Sequence, residues 1–205
     1  MNIFISGMYR SGSTFTYNLV KGLKGRHEKT EWNIHKVHHD WLHKPKGPSD
    51  LSIYTYRDIR DVIVSFCQLY SFSFSTFSVH GRSAIPFMHW AIDFHNEIMS
   101  QHNPNILILR YEDCVMGNPM ETYDIISDFL SVPRDHNKDL QPTLDLTLQK
   151  KATDQQKGLD QSTLYWPNHI NDGAHEKYQN FFSPSELDLI HNDSKIQNYL
   201  KTYEY

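Results

Sequence analysis

The 205-residue sequence predicts an α/β fold: a single domain of three layers, with a central parallel sheet and helices on both faces. Three observations lead there. Apolar or β-branched runs at residues 2–6, 51–57 and 106–111 alternate with longer amphipathic stretches. No tight hairpin turn separates these runs, which leaves crossover connections and parallel strands. The 106–111 run, ILILRY, is nearly all apolar, as suits a strand buried on both faces of a parallel sheet.

Taken in order, residues 2–6 form a short buried strand, followed by a glycine-bearing turn. A helix over 13–23 carries Phe15, Leu19 and Leu23 at four-residue spacing, and Gly22 and Gly25 bracket its end. Residues 26–50 are rich in His, Lys, Pro and Gly and hold one short candidate strand at 32–37. The run LSIYTYR at 51–57 is a second core strand. The helix over 60–70 carries Val62, Ile63, Phe66 and Leu69. Residues 70–82 alternate Ser with Phe72, Phe74 and Phe77, and read as a short edge strand or an aromatic flap. Pro86 opens a helix to about residue 102, with Phe87, Trp90, Ala91, Phe94 and Ile98 on one face. Asn118, Pro119 and Glu121 supply an N-cap, a proline at the first helical position and a capping glutamate. Ser183, Pro184 and Glu186 repeat that device. Residues 133–178 are polar, and read as a helix plus a long covering loop.

Composition narrows the function. Hydrophobic residues at 39% support one core, and an aromatic share of 13% excludes a disordered chain. The net charge of -4 argues against a general nucleic-acid binder. No apolar run approaches the ~18 residues of a membrane span. Cys67 and Cys114 offer neither a disulfide framework nor zinc-site spacing, which points to a reducing compartment. The apolar start is too short for a secretory signal, so a cytoplasmic location is the expectation.

Gly7 and Gly12 have the G-x-x-x-x-G spacing of a P-loop, placed between a strand and a helix, so the expected fold is P-loop-like. Such a turn aims backbone N–H groups and a helix N-terminus at an anion. Ser13 stands where an NTPase needs Lys; the nearest cation is Arg10, accompanied by the hydroxyls of Ser11, Ser13 and Thr14. An ordinary βα turn is the plain alternative. Arg57 ends the second core strand, on the same rim as the first loop in a parallel sheet, and Ser65 follows in the next helix. Two anion grips on different strands suit a ligand with two separated phosphates. The alternative is that Arg57 and Arg60 merely pair with Asp58 and Asp61 at the surface.

The loop MYRSGST followed by Phe15, with RDIRDVIVS at 57–65, resembles the sulfotransferases that use 3'-phosphoadenosine 5'-phosphosulfate (PAPS) and release adenosine 3',5'-bisphosphate (PAP). The resemblance runs from residue 3 to about residue 190 with the motifs in family order, and suggests a compact, bacterial-type or viral-type member. It implies that Arg10, Ser11, Gly12, Ser13 and Thr14 take the 5'-phosphosulfate, and that Arg57 and Ser65 take the 3'-phosphate. Phe15 falls where the family often has a Trp against the adenine. Arg110, Tyr111, Glu112 and Asp113 look like the family's LRYED strand end, whose Tyr also approaches the adenine. The stretch from His169 through Gly173 to Lys177 resembles the late cofactor-covering loop and the helix after it, without the Arg-Lys-Gly run of cytosolic members. Arg10 replaces the Lys that cytosolic members usually carry.

Sulfuryl transfer is an in-line displacement close to phosphoryl transfer. The attacking hydroxyl needs a base near neutral pKa, and the charge on sulfuryl and phosphate oxygens needs fixed cations. Lys36 and His38 share a strand face and also resemble the family's Lys-x-His segment. His38 is assigned as base, with His39 as the next candidate, and Lys36 with Arg10 as charge stabilisers. His35, His38, His39 and His43 lack a Cys or acidic partner in metal spacing, so no metal site is expected. The expected acceptor is a hydroxyl-bearing small molecule or glycan. The short stretch before Lys36 suggests a small or open pocket, lined by Phe72, Phe74 and Phe77 unless these only pack on the sheet. Two rival readings are a nucleotide or small-molecule kinase with an unusual P-loop, and a catalytically silent nucleotide-binding protein of the same fold.

Overall fold

A computed structural model describes residues 1–26, 31–37, 47–115, 117–152, 160–165 and 176–205. Along the chain run β1 (Asn2–Gly7), α1 (Ser13–Arg26), β2 (Asn33–Lys36), β3 (Leu51–Tyr56), α2 (Ile59–Tyr70), α3 (Ala84–Met99) and β4 (Ile106–Arg110). A π-helical turn, Tyr111–Val115, follows β4. Then come α4 (Pro119–Phe129), α5 (His136–Ala152), α6 (Tyr178–Phe181), α7 (Pro184–His191) and α8 (Ser194–Thr202). No described helix is long and apolar enough to cross a membrane.

Among the described residues four strands form a parallel sheet in the order β2-β1-β3-β4. This is the predicted α/β class. The chain groups into two compact units: Met1–Tyr56 with Asn103–Gly173, and Arg57–His102 with Ala174–Tyr205.

The first unit contains the sheet. Ile3 and Ile5 of β1, Ile53 of β3 and Leu109 of β4 meet Leu19, Val20 and Leu23 of α1, Tyr123 and Ile126 of α4, and Leu140 of α5. Each such fully buried aliphatic side chain contributes roughly 1.5–3 kcal/mol. A polar link joins α4 to α5 inside this core. Tyr123 donates to Asp139 Oδ2 at 2.7 Å and accepts from the Asp135 N–H at 2.6 Å.

One expectation for this unit fails. The 106–111 run is not buried on both faces: β4 is an edge strand of the sheet, and among its residues only Leu109 is buried. Tyr111 leaves the strand and opens the π-helical turn. That turn is held tight by Gly117, where a Cβ would lie 2.2 Å from the Glu112 carbonyl oxygen. Only glycine tolerates so close an approach.

In the second unit Phe66 of α2 lies edge-on to Phe77 and to Phe87 of α3, with ring centroids 5.9 and 5.4 Å apart. Phe74 meets Phe182 at 5.3 Å. The 72–77 segment is therefore neither an edge strand nor an open flap. It folds as turns, and buried Phe74 and Phe77 close an aromatic core of helices rather than pack on a sheet. Both caps expected from sequence form. Asn118 accepts from the Glu121 N–H at 3.1 Å, and Ser183 with Glu186 makes a reciprocal capping box.

Candidate functional site

The loop leaving β1 is shaped by close approach to β3. A Cβ on Gly7 would sit 2.1 Å from Thr55 Oγ1 and 2.7 Å from Ser11 Oγ. The Met8 N–H donates to the Thr55 carbonyl at 2.8 Å. The fully buried Ser11 hydroxyl lies 2.6 Å from the Met8 carbonyl oxygen and 2.7 Å from Thr55 Oγ1. Ser11 thus spends its side chain fastening the loop to the strand beside it. Arg10 and Gly12 both take left-handed backbone, at φ 63° and 82°, which tightens the turn into the N-terminus of α1. Gly12, Ser13, Thr14 and Phe15 are partly exposed, and Phe15 also packs against the edge of the core.

Strand order reverses between β1 and β3, and in parallel sheets the space outside the carboxyl ends at such a reversal is where ligands bind. The first turn of α1 holds no acidic residue to compete for an anion at the helix N-terminus. Lys36 ends β2 in register with Ile5 of β1. Burial, and secondly the positive charge of Arg10, push Lys36 down to about 8. The charge of Arg10, in the loop after β1, thus disfavours the charged form of Lys36, an arrangement that an anion relieves.

Tyr111 is buried at the exit of β4, where Arg110 pairs with Glu112 at 3.7 Å and Asp113 at 3.4 Å. A residue the sequence reading passed over, Asn18, joins α1 to a later segment. Its Nδ2 donates to the carbonyls of Thr14 and Thr163, both at 2.8 Å.

The second unit carries Arg57, Ser65 and Lys177. Arg57 and Ser65 are buried. Arg57 Nη2 lies 3.3 Å from Asp61 Oδ2, and Tyr199 donates its hydroxyl to the Arg57 carbonyl at 2.8 Å. Asp58 caps α2 through the Arg60 N–H at 2.8 Å and grips the Arg60 guanidinium at 2.6–3.1 Å. The Arg60 guanidinium stacks 3.8 Å above the Tyr178 ring. The expected pairs form, but they are buried rather than superficial, so the surface-pair alternative does not describe them.

Asp61 is the residue of this segment whose contacts the motif did not single out. Its Oδ2 accepts from the Glu176 N–H at 2.7 Å and its Oδ1 from the Tyr178 N–H at 3.2 Å. Burial raises its pKa; the nearby Arg57 charge opposes that rise without cancelling it. The sequence offered only the doubled Arg-Asp of RDIRD, a pattern that surface ion pairs share. His38, His39 and Gly173 lie outside the described residues, as does His43. No metal-binding group of His, Cys, Asp and Glu occurs among the described residues.

Residues 51–199 match a family model described as a sulfotransferase domain. No curated protein matches the chain. Among solved structures, retinol dehydratase in complex with retinol and PAP is similar at a TM-score of 0.71 and 16% identity, over 98% of this chain and 81% of that one. Mouse sulfotransferase SULT7A1 complexed with PAP is similar at 0.64 and 14%, over 99% and 88%. The sulfotransferase domain from the curacin biosynthetic pathway is similar at 0.59 and 16%, over 99% and 97%. At these identities the likeness is one of fold, and it carries the predicted P-loop-like architecture across nearly the whole chain.

Proposed function

The chain belongs to the sulfotransferase domain family, and from that premise we propose that it moves a sulfuryl group from PAPS to the hydroxyl of a small-molecule or glycan acceptor. The observation that carries this reading is a glycine loop too tight for a side chain at Gly7, leading into the N-terminus of α1, with the charge of Arg10 felt at Lys36. The donor set fits the group: two cations, partly exposed Ser13 and Thr14 hydroxyls and a helix N-terminus suit a phosphosulfate. Solved relatives bound to PAP support the donor, and the retinol and androsterone bound to retinol dehydratase, both alcohols, support a hydroxyl acceptor.

When bound, PAPS supplies the sulfuryl group and departs as PAP. In this reading Gly12, Ser13 and Thr14 hold the 5' end through backbone and hydroxyl donors, while Ser11 holds the loop in shape. Lys36 and Arg10 offset the charge on the sulfuryl and 5'-phosphate oxygens. His38 accepts the proton of the acceptor hydroxyl, with His39 next in line. Arg57, Ser65 and Lys177 take the 3'-phosphate, and Phe15 and Tyr111 take the adenine. No residue is assigned to a metal. The whole chain works as one sulfotransferase-like domain.

Calorimetric titration with PAP, set beside ATP with Mg²⁺, tests the proposal. Binding and thermal stabilisation by PAP are expected. Stabilisation by ATP with Mg²⁺ and not by PAP sinks it, in favour of a kinase.

A further inference from the structure

The RDIRD segment does more than supply Arg57. Glu176 has left-handed backbone, φ 58°, and Lys177 right-handed, φ -61° and ψ -26°. Such an alternation turns the N–H groups on either side inward and forms a small anion-binding concavity. Its occupant is the carboxylate of Asp61, which accepts from Glu176 and Tyr178 on its two separate oxygens. Oδ2, the oxygen bound to Glu176, also faces Arg57 Nη2 at 3.3 Å. A non-glycine residue at positive φ is costly, and here a charge-assisted hydrogen bond offsets that cost. The same segment is held a second time by the Arg60 guanidinium stacked on Tyr178.

We propose that Asp61 is the positioning residue for recognition of the 3'-phosphate. A single buried carboxylate fixes the Arg57 guanidinium and the backbone on both sides of Lys177, so these two cations are presented as one preformed grip. The inference rests on the donor reading above and adds to it a residue that touches no ligand. Its consequence is selectivity. Loss of the Asp61 charge loosens both halves of the grip at once, and the penalty falls on nucleotides that carry a 3'-phosphate.

Calorimetry on the full chain with PAP and with adenosine 5'-phosphate tests this. In Asp61→Asn, one backbone N–H must face the amide nitrogen and the carboxylate charge beside Arg57 Nη2 is gone. PAP affinity is expected to fall about tenfold or more, while adenosine 5'-phosphate affinity stays within about twofold. A variant with a lower melting temperature but an unchanged PAP-to-adenosine 5'-phosphate ratio overturns the proposal, because a purely structural Asp61 gives that result. Should Asp61→Asn not fold, Glu176→Pro serves instead. It removes one N–H at an exposed position and forbids the left-handed φ, while leaving Asp61 and Arg57 in place. Loss of the same ratio is expected there too, and a retained ratio overturns the proposal. A wild-type protein with no preference for PAP overturns the donor reading itself, and the inference with it.

Discussion

The Ser11 hydroxyl lies 2.7 Å from Thr55 Oγ1, and that contact joins the loop after β1 to the end of β3. Ser11→Ala withdraws the hydroxyl from the buried Met8 and Thr55 oxygens, at an expected cost of about 1–2 kcal/mol. Gly7→Ala places a methyl where Thr55 and Ser11 already stand, and overpacking of this kind costs about 1–3 kcal/mol. Urea unfolding measures both. Each variant is also expected to bind PAP more weakly, and Gly7→Ala with wild-type affinity and stability contradicts the described loop.

Lys36 in the proposed donor site predicts a pH dependence of PAP binding. Its folded value of about 8 lies below the ordinary 10.5, so between those values the folded chain binds fewer protons than the unfolded chain. Stability contributed by this group therefore rises with pH across that window. Anion binding acts oppositely, since it favours the charged amine. PAP affinity is expected to fall as pH rises through about 8 in the wild type, and Lys36→Arg should flatten the profile because guanidinium stays charged. Titration calorimetry across that pH range is the check; identical profiles for the two proteins exclude Lys36 from the anion site.

For the base, His38→Ala is expected to abolish sulfuryl transfer while PAP affinity changes less than about twofold. Single-turnover transfer from labelled PAPS to a panel of alcohols reads the first quantity and calorimetry the second. An active His38→Ala protein moves the role to His39.

Arg57→Ala should weaken PAP far more than adenosine 5'-phosphate. Equal losses for the two nucleotides remove Arg57 from the 3'-phosphate.

A stability test stands apart from catalysis. Asp193 caps α8 through the Lys195 and Ile196 N–H groups and faces His89 Nε2 at 2.8 Å. Burial alone would raise its pKa, but the Ile196 N–H, His89 and the Lys195 N–H together hold it below the usual carboxylate value. A depressed carboxylate adds stability above its unfolded pKa and loses it as pH falls through the folded one. The stability gap between wild type and Asp193→Asn should therefore shrink as the solution is acidified below about pH 4. Thermal unfolding across that range reads the gap, and a gap independent of pH refutes the pairing.

Much of this was legible in the residues themselves. Parallel strands, the glycine loop and both helix caps follow from local pattern, because strand runs, G-x-x-x-x-G and Asn-Pro or Ser-Pro starts act over a few residues. What stayed hidden depends on neighbours distant in sequence. Leu107 and Ile108 look like central-strand residues, yet among the described residues β4 is the last strand of the sheet and they are only partly buried. Phe74 and Phe77 look like a flap, and only the positions of Phe182 and Phe87 reveal a core. Asp61 reads as half of a helical ion pair until the backbone of Glu176 and Tyr178 arrives from the far end of the chain. Ser11 reads as one of a run of loop hydroxyls, and only the position of Thr55 reveals that its side chain fastens the loop to β3.

The dependence of the glycine loop on Thr55 also says something about how the chain acquires its shape. Thr55, which ties Ser11 to β3, lies 44 residues downstream, and the intervening β2 pairs with β1 on the other side. Closing so long a loop precedes any reward from the contact, so assembly of the β1–β3 pair belongs among the slower events of folding. Until it occurs, Ser11 lacks the Thr55 contacts that fasten its loop to β3. During synthesis on the ribosome, the loop after β1 emerges ahead of β3 and takes its described form only once β3 has followed it out.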